Sequence, residues 1–159
     1  MKLYHGSNQI ILQPRLLKPT HPMDFGQGFY TTTNYAQAAA FAKKIVKWRG
    51  GTETVSIYEL GKVPLNFKII HFKYPNKKWL DFVVNNRLGK DVSEKVDIIT
   101  GPVANDDVYG VVESYEMGDY TEQEALKRLK VKKLFNQYVF KTQEAVNLLK
   151  FLGGENAGI

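Results

Sequence analysis

Residues 28–51 constrain this fold more than any other stretch, because they read in order as a strand, a capped turn and a helix. Gly28 precedes Phe29-Tyr30-Thr31-Thr32, a run of the aromatic and β-branched residues that strands favour. Asn34 stands three residues before Gln37, the spacing of a capping box. The alanine-rich run from Ala36 to Trp48 predicts a helix, stopped by Gly50-Gly51. Before this unit, prolines at 14, 19 and 22 predict a loop, since none suits a helix interior or a central strand.

The flanking segments keep the same mixture. Residues 2–5 read as a short strand ending in the turn His5-Gly6-Ser7-Asn8. Thr54–Leu60 and Leu65–Phe72 alternate as strands do. Trp79, Phe82, Val83 and Asn86 recur at helical spacing within 76–87. Val96–Thr100 is a short apolar strand interrupted by Gly101-Pro102, and residues 101–109 read as a turn. Thr121 and Glu124 predict a second capping box ahead of a helix to Lys130. Phe135–Lys141 reads as a strand, and Thr142 caps a last helix expected to run to Gly153-Gly154. Strand connections vary too much for a βαβ repeat, so the expected fold is α+β with two small sheets. With 159 residues and no composition break, one domain over 1–159 is expected.

Composition narrows the chemistry. There are no cysteines, which excludes disulfide scaffolds, thiolate zinc sites and a catalytic cysteine. The net charge of +6 is unevenly spread: residues 1–90 hold fourteen Lys+Arg against four Asp+Glu. Residues 91–124 hold ten acids and one base, Lys95. Five bases then fall within 127–133 (Lys127, Arg128, Lys130, Lys132 and Lys133), a run that ordinary solvated faces also carry. No apolar stretch has the length of a signal peptide or a membrane helix, so a soluble, cytoplasmic protein without membrane contact is expected.

Several familiar sites are absent. Gly26-Gln27-Gly28 begins like a dinucleotide fingerprint, but Thr31 stands where the third glycine belongs and a strand follows. No phosphate-binding Gly-Lys-Ser/Thr loop and no nucleophile elbow occurs. His5, His21 and His71 lie on separate segments, so no metal site is expected. Three segments remain. His5 is followed by the bare backbone of Gly6, which a flat ligand could approach. Gly26 and Gly28 let a loop bend ahead of the aromatic pair Phe29-Tyr30. Asn136-Gln137-Tyr138 sets a polar amide among apolar strand residues.

In order and spacing these segments resemble the ADP-ribosyltransferase superfamily, in the branch of diphtheria toxin and the poly(ADP-ribose) polymerases. Tyr4-His5-Gly6-Ser7 matches the family's first motif. Gly26-Gln27-Gly28-Phe29-Tyr30 matches the second, with Phe41 as the second aromatic eleven residues on. Asn136-Gln137-Tyr138 stands where the polymerases have Asn-Glu-Tyr. The match is clear over 3–41 and 135–141. The whole chain also looks like a bacterial family grouped with these enzymes.

The resemblance implies a split β-sandwich and NAD as co-substrate, with no metal. It implies that His5 bonds the adenosine ribose and that the Gly6 backbone holds the nicotinamide carboxamide. Ser7 would support ribose or amide, Gly28 would shape the loop, and Tyr30 and Phe41 would sandwich the nicotinamide ring. Gln137 would take the place of the family's glutamate, keeping a hydrogen bond but losing a charge and any role as base. One unit charge at ~4 Å is worth about 1 to 4 kcal/mol between water and a dielectric near 20, roughly five- to 1000-fold in rate. The expectation is therefore mono-ADP-ribosylation of a macromolecular acceptor (protein or nucleic acid) without chain elongation. Family context adds a toxin role with an antitoxin partner. Asp106 or Asp107 would orient the acceptor, or would be ordinary turn residues. The alternatives are a non-catalytic NAD or ADP-ribose binder, and a nucleic-acid-binding domain using the 127–133 run.

Overall fold

The computed structural model describes residues 1–18, 23–90, 95–104, 106–130 and 134–158. Pro19, His21, Pro22, Lys132 and Lys133, named above, and Asn105 within the expected turn at 101–109 lie outside the described residues. The chain is α+β. In order it forms β1 (Lys2–Ser7), β2 (Phe29–Thr32), α1 (Tyr35–Arg49), β3 (Thr54–Leu60) and β4 (Ile69–His71). There follow α2 (Lys77–Arg87), β5 (Ile98–Pro102), α3 (Asp106–Glu116), α4 (Glu122–Leu129), β6 (Asn136–Phe140), α5 (Gln143–Val146) and β7 (Leu149–Asn156).

The described strands make one sheet in the order β4-β5-β6-β2-β1-β3-β7, where two small sheets were expected. All neighbours are antiparallel except β4 and β5. The sheet is narrowest at its middle. β1 pairs with β3 over six residues but with β2 at Tyr4↔Thr32 alone. If their antiparallel register continued, Gly6 would face Tyr30 and Ser7 would face Phe29. Those pairs are not made, so the ladder between β1 and β2 opens at residues 5–7 and 29–31.

Pleating sends alternate residues to opposite faces, and two cores result. Ile99 and Val139 pair on the face packed by Trp79, Leu80 and Val83 of α2, Val108 and Val112 of α3, and Leu129 of α4. Ile98 and Phe140 pair on the other face with Leu3, Phe29, Tyr58, Ala145 and Val146. The Trp79 indole N–H donates to the Pro102 carbonyl at 2.9 Å, satisfying the one polar group that this fully buried ring carries.

The helix starts follow the sequence closely. Asn34, Asn76, Thr121 and Thr142 each accept from the backbone N–H three residues on. Thr121 and Glu124 complete a reciprocal box. At the first helix the box is not closed, because the Gln37 amide oxygen accepts from the Thr32 hydroxyl.

Four expectations change. β1 continues through Gly6 and Ser7, held by β3 rather than turning at His5. Leu65 is fully exposed, because Phe67 N–H bonds back to the Pro64 carbonyl in a turn and only Ile69–His71 pair as strand. Residues 106–116 are a helix, with Val108, Val111, Val112 and Tyr115 at the spacing of one face packed on the core. The last helix stops at Val146, and Leu149–Asn156 pair with β3 through a bulge at Ile57/Tyr58. There the backbone of Gly153 and Gly154 finds its partners across the sheet instead of along a helix.

Candidate functional site

His5 sits where the ladder opens. Its Nδ1 lies 2.7 Å from the Tyr30 carbonyl oxygen, so a side chain takes the place of the missing backbone bond between β1 and β2. Donation to a carbonyl fixes the proton on Nδ1 and leaves Nε2 as the acceptor. Burial holds the pKa of His5 below its ordinary value of 6.5, against the upward pull of that bond. The ring also stacks on Phe29, with centroids 4.3 Å apart and planes 24° off parallel. The imidazole is thus neutral, single-tautomer and fixed in orientation.

Gly6 has a structural reason of its own. A Cβ added there would lie 1.9 Å from the Ala38 carbonyl oxygen and 2.9 Å from the Ala42 nitrogen. Helix α1 therefore crosses β1 at backbone distance, through Ala38 and Ala42, and Phe41 rides on the same turn with its ring half exposed. The glycine that the sequence offered to a flat ligand is needed first by the helix. The Ser7 hydroxyl is 3.5 Å from Asn8 Oδ1.

Tyr30 is held at both ends. Its hydroxyl donates to the Gly26 carbonyl at 2.6 Å and accepts from the Phe25 N–H at 3.0 Å. Burial pushes its pKa far above the ordinary tyrosine value. The phenol is therefore engaged and un-ionised, and what remains is the flat ring. Gly26 makes this turn at φ +73°, where a side chain would be strained. A Cβ there would meet Lys141 Nζ at 2.8 Å and Asn86 Oδ1 at 3.0 Å. Lys141 Nζ donates to the Phe25 carbonyl at 2.7 Å and so clamps the loop from β6's end. Asn86 Oδ1 is buried and has no hydrogen-bond partner among the described residues, although its amide nitrogen bonds the Phe82 carbonyl at 2.9 Å. The sequence pointed to Gly26 but not to Lys141, and it named Asn86 only for its helical spacing, not for its approach to this turn. Gly28 is confined in turn by Val139 Cγ1, 2.5 Å from where its Cβ would be.

Gln137 is buried in β6, in register with Thr32 on one side and Gly101 on the other. Its amide nitrogen reaches the Pro102 carbonyl at 3.4 Å, the same oxygen that takes the Trp79 indole. Tyr4, Thr32 and Gln137 thus form one row across the sheet, one residue offset from His5. Pleating puts Gln137 on the Val139 face, while His5 shares the face of Leu3 and Phe29. The structure joins His5 directly to Tyr30. Gln137 stands on the strand that pairs directly with that of Tyr30, through Thr32↔Gln137 and Tyr30↔Val139, and so shares the face of Tyr30, whereas among the described residues no hydrogen bond joins it to His5. Asp106 and Asp107 fall on the first turn of α3, a helix where a turn was expected, and their side chains lie outside the described residues.

Two surface clefts lie elsewhere. One of about 360 Å³ lies between residues 12–15 and α5, and one of about 560 Å³ between Asp24, Trp48, Arg87 and α3. Neither is lined by His5, Gly6, Tyr30, Phe41 or Gln137. Among the described residues no group of three acidic or histidine side chains could hold a metal ion, and no helix is long and apolar enough to cross a membrane.

A family model described as "Protein of unknown function (DUF3990)" matches residues 1–151. No curated protein and no solved structure matches the chain.

Proposed function

The chain belongs to the DUF3990 family, and from its own residues we propose that it binds NAD and works as a mono-ADP-ribosyltransferase. The observation that carries this reading is the opening between β1 and β2, bridged by His5 Nδ1 and the Tyr30 carbonyl. A slot between strands offers backbone groups of Gly6 to a planar carboxamide, with an immobile acceptor beside it at His5 Nε2. Tyr30 contributes a ring whose hydroxyl is already engaged, so stacking is its role. Phe41, exposed on the helix turn that crosses Gly6, supplies the second ring.

The reaction needs positioning and electrostatics more than acid–base chemistry. The bond between nicotinamide nitrogen and ribose C1 breaks, and its electron pair leaves with neutral nicotinamide. The acceptor nucleophile forms the new bond to C1 and releases its proton to solvent. Gln137 offers the ribose an amide without a charge, which limits how far the positive transition state is stabilised. This reading makes the protein a slow transferase.

The test is incubation with NAD carrying label on the adenylate, with nicotinamide release and label transfer followed separately. Release of nicotinamide that is lost in His5→Ala supports the proposal. NAD binding without release in wild type would leave a non-catalytic NAD binder. Neither binding nor release would overturn the proposal altogether.

A further inference from the structure

The 560 Å³ cleft shares two structural links with the proposed NAD slot. Asp24, on its wall, is followed by Phe25, whose N–H anchors the Tyr30 hydroxyl. Trp48, on its rim, lies seven residues after Phe41 on α1. That spacing puts both rings on one stripe of the helix, about 10 Å apart along its axis. Both are exposed, Trp48 at 71% and Phe41 at 42%. A stripe of uncovered aromatic rings therefore runs from the slot to the cleft.

The cleft already holds one cation. Arg87 Nε bonds Asp24 Oδ1 at 2.7 Å, and its guanidinium carbon lies 4.7 Å from the centre of the Tyr109 ring. Carboxylate at one edge and ring face at the other is the environment a guanidinium prefers. A second set of the same groups is left without an internal cation. Glu113 and Glu116 line the cleft with Trp48, and among the described residues neither is in an ion pair. Both lie at the C-terminal end of α3, whose last turn carries no base, so the helix dipole opposes them. Two carboxylates kept where the helix disfavours them raise the negative potential beside an exposed tryptophan. Both belong to the acidic stretch 91–124, ten acids against one base, so the α3 wall of the cleft is acidic within a chain of net charge +6.

We propose that this cleft docks a cationic segment of a protein acceptor, an arginine or lysine side chain lying on Trp48 with its charge against Glu113 and Glu116. The inference rests on the transferase reading for the word acceptor; the docking itself does not. A nucleic-acid acceptor would bring phosphates against two unpaired carboxylates, which is unfavourable.

Binding and chemistry are tested apart. Fluorescence anisotropy of an arginine-rich peptide, with its glutamate counterpart as control, is followed against the full chain without NAD. The arginine peptide is expected to bind at least about tenfold more tightly than the glutamate one. Glu113→Gln with Glu116→Gln should weaken it about three- to thirtyfold, and Trp48→Ala about two- to fivefold. Equal affinity for both peptides, or an affinity unmoved by all three substitutions, overturns the docking. A second arm supplies labelled NAD and whole lysate. Label removed by protease supports the acceptor class, and label removed only by nuclease overturns it. Absence of nicotinamide release in that arm counts against the transferase reading, while the anisotropy still decides the docking.

Discussion

The Nδ1 atom of His5 and the carbonyl oxygen of Tyr30 lie 2.7 Å apart, across the point where the β1–β2 ladder has ended. One side chain thereby does the work of a backbone bond. The same contact selects the tautomer that leaves Nε2 free to accept.

His5 makes the protein sensitive to acid. The unfolded histidine titrates near 6.5 and the folded one lower, so between the two the unfolded chain binds more protons. The stabilising effect of neutral His5 is complete above 6.5 and is lost as pH falls toward the folded value. Thermal unfolding of wild type and His5→Gln from pH 8 to 5 should show the wild type losing more stability below 6.5. Parallel pH profiles would mean that His5 is not the group responsible.

Gly6→Ala is expected to cost about 3 kcal/mol or more, because its Cβ would meet the Ala38 carbonyl at 1.9 Å. The neighbour is helix backbone and cannot rotate away. Chemical denaturation reads the loss directly. A variant within about 0.5 kcal/mol of wild type would show that α1 does not cross β1 this closely.

Lys141 positions Tyr30 through the loop. Lys141→Met leaves the Phe25 carbonyl without its charged donor and should cost about 1.5 to 3 kcal/mol. Under the proposed function it should also raise the KM for NAD more than it lowers kcat, since the ring is displaced while Gln137 is untouched. Lys141→Arg should recover part of both. A stability loss with unaltered KM would assign Lys141 to the fold alone.

Gln137→Glu sets activity against stability. Restoring the carboxylate should raise nicotinamide release roughly five- to 1000-fold if the protein is an impaired transferase. The same change replaces the amide donor to the Pro102 carbonyl with an acceptor inside a buried row, at a cost of about 1 to 3 kcal/mol. Destabilisation with no gain in release would favour the binder over the enzyme.

The sequence by itself determined the α+β class, the starts of α1, α2, α4 and α5, and the identity of the motif residues. Those are local properties: Asn34, Asn76, Thr121 and Thr142 each act on a backbone group three residues away. The spacing of Val108, Val111, Val112 and Tyr115 likewise carries the helical period of α3. The tertiary structure decided what depends on partners distant in the chain. Residues 149–156 became a strand because β3, some ninety residues earlier, offered an edge. Gly6 proved to be a helix-crossing point because Ala38 and Ala42 approach it. Gln137 was placed by its register with Thr32 and Gly101. The cleft of Trp48, Arg87 and Glu113 gathers residues from three helices whose sequence spacing carries no common period. Short-range periodicity encodes elements, whereas a site is made by their docking, and docking energy is set by which faces bury together.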